Sequence, residues 1–242
     1  MQPAQYTYPS YEIPLVEAYA SQFEAVFILL HPFLRVPPQL AWSATRAYPS
    51  DVDLAAHAVP CPWTEVSTLT GLASCARINL ALLTSIGSLA PHLADPHAQQ
   101  LLQTCLQTHP IWMPTEGRFE PLLQPHFLHA FAAAGHTQLL HVPEFPLSDP
   151  VVPLPLHQLA SGHTPFPTRG TLLAPDASFL FTVDWDSFFT LFYGPRAFLT
   201  QIAQSRQLEG FFALPTTEHA WFNYSMGCAT VTLSPEHWQT QP

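Results

Sequence analysis

FLFTVDWDSFFTLFYGPRAFLTQIA, from Phe179 to Ala203, is the stretch on which the fold reading turns. Phe, Val, Thr, Trp and Tyr dominate Phe179–Tyr193, the residue types suited to a half-buried pleated surface. Gly194-Pro195 then opens a helix whose core face is Phe198, Leu199, Ile202 and Ala203, at steps of three and four. Inside the strand-like part lies Asp184-Trp185-Asp186-Ser187. On a continuous strand the two carboxylates would share one face, with Val183, Trp185, Phe189 and Leu191 lining the other. As a hairpin turn, the same residues would cap backbone amides between two strands. Gly210–Leu214 and CATVTL, Cys228–Leu233, read as further strands.

Upstream, prolines mark the gaps between helices. Cys75, Ile78, Leu82, Ile86 and Leu89 recur at helical steps, and Gly71 separates this helix from a shorter one begun near Pro62. Asp95-Pro96 is an N-cap followed by proline at the first helical position, with Ala98, Leu101, Leu102, Cys105 and Leu106 as its stripe. A third helix runs from about Pro125 to Ala134, carries Phe127 and Phe131, and stops at Gly135. Helices first and strands later, without a βαβ rhythm, predict an α+β fold: a helical N-terminal half packed on a mainly antiparallel C-terminal sheet that carries a further helix. The expected organisation is a single packed unit over residues 1–242, helix-rich to 142, a proline-rich strap over 143–167 and β-rich from 168. Seven prolines fall between Pro143 and Pro167, beside Val151, Val152, Leu154 and Leu156, which predicts an extended strap lying on the protein.

The composition sets bounds on function. The 242 residues are 48% hydrophobic, so the bulk of the chain can bury a core. Charged residues are 10%, against roughly 25% in an average protein. There are seven arginines, no lysine and a net charge of −10. Such a surface has no electrostatic footprint for nucleic acid or anionic membranes. The start, MQPAQYTYPSYEIP, has neither a basic region nor an apolar one, and the apolar run Ala25–Leu30 is too short to span a bilayer. Cys61, Cys75, Cys105 and Cys228 form no CxxC pair. Together these features predict a cytoplasmic protein with reduced thiols. So little charge also predicts an apolar association patch and a homodimer.

Four phrases resemble an uncharacterised bacterial family, the domain of unknown function numbered 2711. They are ILLHPFLRVP (Ile28–Pro37), TSIGSL (Thr84–Leu89), DWDSFFTLFYG (Asp184–Gly194), and LEGFF followed by TEHAWF (Leu208–Phe222). The resemblance implies one co-linear bacterial architecture and brings no activity, cofactor or site residue with it.

Candidate chemistry is sparse. His126 and His129, at i and i+3, are the closest histidine pair on one helix face, with Glu120, His136 and Glu144 near in sequence. Zinc needs at least a third ligand, and HExxH and HxH are absent. Histidine and glutamine standing where other proteins place lysine is the simpler account. GxSxG, GxGxxG and the P-loop pattern are also absent. Cys75 and Cys105 fall on core stripes, leaving Cys228 as the candidate reactive thiol with His219 or His237 as base, against an ordinary buried cysteine. Trp221, Phe222, Tyr224 and Trp238 either stack a ligand or close the end of the sheet core.

Two function classes follow. One is a non-catalytic acidic binding or regulatory protein, immunity-type in its charge, that selects a protein partner by complementary electrostatics and needs no cofactor. The other is a metal-assisted hydrolase drawing on His126, His129, Asp184, Asp186 and Glu218. The sequence favours the first. It places function in the C-terminal β-rich region, at Asp184, Asp186, Glu218, His219, Trp221 and Tyr224, where carboxylates, histidine and aromatics interleave.

Overall fold

The computed structural model describes residues 5–37, 48–145 and 150–223. In chain order its elements are β1 (Ala25–Leu30), β2 (Phe33–Arg35), α1 (Asp51–His57), β3 (Val59–Cys61), α2 (Trp63–Thr70) and α3 (Cys75–Ile86). Next come α4 (Pro96–Thr108), β4 (Ile111–Trp112), α5 (Gln124–Ala133), β5 (Gln138–Val142), β6 (Val152–Pro155) and α6 (Leu156–Ala160). The last are β7 (Gly170–Leu173), β8 (Leu180–Val183), β9 (Phe189–Gly194), α7 (Arg196–Ser205) and β10 (Gly210–Phe212). Seven strands form one sheet in the order β10-β1-β9-β8-β7-β5-β6, every neighbouring pair antiparallel. A small second sheet runs β3-β2-β4.

Helices cover both faces of the large sheet, and alternate residues of each strand sort between two cores. Val26, Ile28 and Leu30 of β1 pack with α2, α3 and α4 through Trp63, Val66, Ile78, Leu82 and Leu102. Ala25, Phe27 and Leu29 face α5 and α7 through Phe127, Phe131, Leu199 and Ile202. A strand covered on both sides shows no polar alternation, so AVFILL carries no period-two signal although all six residues are buried. The expected helical N-terminal half is therefore corrected: β1 and β2 precede every α-helix, and β1 lies between β9 and β10 inside the sheet. Strands and helices interleave, giving a mixed α and β architecture.

The proline-rich stretch is also more structured than an extended strap. Val152–Pro155 pairs with β5 as the outermost strand, and α6 follows it at once. Proline suits an edge, where a missing N–H costs no ladder bond and discourages pairing with another chain. The capping signals appear as residues rather than as tendencies. Gly71 and Gly87 end α2 and α3 in the left-handed conformation, and the Asp95 side chain accepts from Ala98 N at the start of α4. No single described helix is long and apolar enough to cross a membrane, and α2 and α3 meet at an 82° bend. CATVTL, Tyr224, His237 and Trp238 lie outside the described residues.

Candidate functional site

The DWDS segment is a turn. It joins β8 to β9, with Ser187 N and Oγ both donating to the Asp184 carbonyl. Antiparallel pairing brings the starts of β7 and β9 and the ends of β1, β5 and β8 to the same end of the sheet, so residues far apart in sequence gather around this turn. The loop before α5 closes in from one side, where Gly117 N donates to Ser187 O at 2.9 Å. The N-terminal segment and the turn holding Thr217 come from another, with Leu15 N donating to Thr217 O.

At the centre, Asp184 is 8% exposed. Tyr11 Oη donates to its Oδ2, and His219 Nε2 stands 3.7 Å from the same oxygen, an ion-pair rather than a hydrogen-bond distance. On the far side of the imidazole, Tyr8 Oη lies 2.8 Å from Nδ1. A carboxylate beside Nε2 places the ring proton there, so Nδ1 accepts from Tyr8. The Tyr11 ring stacks on the imidazole, with centroids 4.0 Å apart and planes inclined by 13°. Burial lowers the His219 pKa, opposed by the charges of Asp184 and then Asp186. Burial likewise raises Tyr8 well above the usual phenol range, and Tyr11 rises through burial and its bond to Asp184. All three stay uncharged at neutral pH.

Around this locked centre the surface is acidic and aromatic. Tyr11 and Trp185 are 50% and 56% exposed. Asp184, Asp186 and Glu144 all act electrostatically on Tyr11, so two chain segments contribute three carboxylates to one patch. A fourth, Glu116, is raised by partial loss of solvent and then by Asp186, with Arg169 opposing. The Arg169 guanidinium sits 6.0 Å from the centre of the Trp185 ring.

The structure therefore brings Asp184, Asp186 and His219 together and leaves others aside. Trp221 is 3% exposed and packs edge-on against Phe189 and Phe211, so it closes the core instead of stacking a ligand. Glu218 is partly exposed in the turn before His219. His126 and His129 lie on α5, away from the DWDS turn. Glu120, expected near them, is fully buried and accepts from Thr115 N and Oγ1 and from Leu122 N, while Glu144 belongs to the acidic patch. Among the described residues no group of three or more His, Cys, Asp or Glu is placed to hold a metal ion, and the hydrolase reading loses its donor set. Cys61, Cys75 and Cys105 are buried, and burial pushes the Cys61 and Cys105 thiols up, away from reactivity.

Sequence reasoning missed Tyr8 and Tyr11. Their only local mark is the tyrosine-dense YTYPSY, Tyr6–Tyr11, and nothing in that spacing names partners 211 and 173 residues away. Arg169 and Glu116 carried no mark at all.

Comparison with known proteins agrees with the resemblance in the four phrases. A protein from Bacillus subtilis (strain 168), described as "Uncharacterized protein YwbB", is 19% identical over 218 residues, covering 87% of this chain and 96% of that protein. No solved structure matches the chain. The family model described as "Protein of unknown function (DUF2711)" matches residues 11–223, which span the DWDS turn, both cores and His219, and the chain belongs to that family.

Proposed function

We propose that this protein is a non-catalytic binding protein whose acidic, aromatic sheet end receives a cationic protein partner. The observation that carries the reading is the exposure of Tyr11 and Trp185 beside Asp184 and Asp186. Large aromatics left in water next to carboxylates suit lysine and arginine side chains, which gain charge pairing and the ring face together. Arg169 over Trp185 is an intramolecular instance of the same chemistry. The buried centre supports binding over catalysis. Tyr8 is hydrogen-bonded to His219 Nδ1 and Asp184 stands beside Nε2, while the stacked ring holds Tyr11 in place. A pre-set aromatic costs less entropy to dock upon.

Calorimetric titration of the full chain with nonaarginine at low salt tests this. Trp185→Ala and Asp186→Asn should each weaken binding by about tenfold, the scale of a hot-spot contact. Glu24→Gln removes one charge at the opposite end of β1, where Glu24 accepts from Arg196 N, and should leave binding unchanged. Equal losses in Asp186→Asn and Glu24→Gln, with none in Trp185→Ala, would mean that net charge alone attracts the peptide, and the reading fails. Sedimentation of the protein alone tests the competing occupant, a second copy of the chain; a dimer that Trp185→Ala dissociates would replace the cationic partner.

A further inference from the structure

α5 and α7 pack on one face of the large sheet, sharing a core through Phe127, Phe131, Leu199, Ile202 and Ala203. Where they meet solvent, the residue that caps the C-terminus of α7 is Arg206, half-buried, and the first turns of α5 carry His126 and His129, also half-buried. Arg206 is unlike the other described arginines. Arg35, Arg77 and Arg118 pair with Glu65, Asp95 and Asp51, while Arg169 and Arg196 lie over the rings of Trp185 and Phe212. The Arg206 side chain makes no hydrogen bond, ion pair or ring contact among the described residues, in a chain of net charge −10. Its Nε is sealed from solvent without an acceptor, and Nδ1 of His126 is sealed without a partner, so the neutral imidazole keeps its proton on the outer Nε2. A buried donor without an acceptor loses its hydration with nothing in return, so native proteins keep few of them. The outer nitrogens of both side chains are not among the sealed atoms, so the cluster is open on one side.

The guanidinium gives this cluster a positive sign. Burial lowers the His126 pKa, and the charges that act on it next are Arg206 and then His129, with no carboxylate among them. A guanidinium beside the imidazoles repels a metal cation, which gives the physical reason why His126 and His129 are not a zinc pair. The same arrangement attracts the opposite charge. From the unpaired guanidinium and the flanking imidazoles we infer that Arg206, His126 and His129 form a binding site for a small oxyanion, the phosphate or carboxylate group of a metabolite. The fork of Arg206 matches two oxygens of such a group, and each imidazole adds a single N–H donor. The site is separate from the acidic sheet end and does not depend on its reading.

Titration of the full chain with inorganic phosphate and, separately, with acetate tests the site, followed by calorimetry and by the NMR shifts of the histidine ring protons. Saturable binding of either anion is expected, with the shifts confined to His126 and His129. Saturation by phosphate alone assigns a phosphoryl ligand, and by acetate alone a carboxylate. Arg206→Gln should weaken binding about tenfold or more, as loss of a charge-assisted pair does. Arg196→Gln removes the same charge at Phe212 and should bind as the wild type does. Absence of saturable binding by both anions overturns the inference, as does an equal loss in the two arginine variants. Should Arg206→Gln fail to fold, the histidine shifts of the unmodified protein decide: anion binding that leaves His126 and His129 unmoved overturns it equally.

Discussion

Gly117 shows how tightly single residues are constrained around the DWDS turn. Its φ is +63°, and a Cβ built there would overlap the carbonyl of Trp185. Only glycine lets the loop before α5 approach the turn this closely while taking a left-handed conformation. Gly117→Ala should therefore cost at least about 2 kcal/mol of stability and disturb Trp185, measured by urea unfolding and by near-UV circular dichroism. A second residue-scale case is His31, fully buried, with Nδ1 at 3.1 Å from Thr115 O and Nε2 at 2.9 Å from Thr190 Oγ1. The carbonyl must accept, so Nδ1 carries the proton and Nε2 accepts from the threonine. Burial pulls its pKa down to about 4. The unfolded chain, with histidine near ~6.5, binds the proton more readily between these values. The contribution of His31 is thus complete above ~6.5 and is lost as pH falls toward 4, by up to about 3 kcal/mol. Glu120 and Glu209, raised chiefly by burial, act in the opposite direction, favouring the fold at acid pH. The measurement that isolates His31 is the difference in pH slope between wild type and His31→Gln, with the variant losing the wild type's fall in stability from pH 6.5 to 4.

At the scale of elements, α2 shows a cap borrowed from across the fold. Its N-cap residue is Pro62, which has no side-chain acceptor. Instead the Glu209 carboxylate, just before β10, accepts from Trp63 N at 2.7 Å and Thr64 N at 3.0 Å. An anion at the positive end of the helix also meets its dipole favourably. In addition, Trp63 Nε1 donates to His31 O at 2.6 Å, tying α2 to the chain just beyond β1. Glu209→Ala should lower stability by about 1–2 kcal/mol, the range of a lost helix cap, while Glu209→Gln keeps one acceptor and should cost less. Thermal unfolding of the two variants checks the order. The sequence marks the caps of α3 and α4, because Ser74 and Asp95 are adjacent to the helices they serve. It holds no mark for α2, whose cap lies 146 residues away.

For the whole molecule, the charge balance sets behaviour in solution. Thirteen histidines, if all protonated, would carry the net charge from −10 to +3. The structure tempers this, because burial lowers His31, His126 and His219 and keeps them neutral further into acid. By composition the net charge still comes to zero near an isoelectric point of 5.6, and solubility at low salt should reach a minimum there. Equal solubility at pH 7.5 and pH 5.5, measured by light scattering and residual concentration, would contradict it.

Local chemistry determined what lies within a few residues of its own signal. The stripe of α3, the Asp95-Pro96 start of α4, the glycine stop after α5 and the Gly194-Pro195 entry to α7 are all readable because helical period and capping are short-range. DWDS was readable as two alternatives, and the pairing of Thr182 with Leu191 across the turn chose the hairpin. Tertiary structure alone decided the rest. β1 is hidden in sequence because both its faces are covered, and a strand without alternation resembles any short apolar run. The meeting of Tyr8, Tyr11, Asp184 and His219 is set by strand order, as is the neighbourhood of His126 and Arg206 by two helices sharing one sheet face. Contacts across 80 to 211 residues depend on how the whole sheet is assembled, and no local pattern of residues encodes that order.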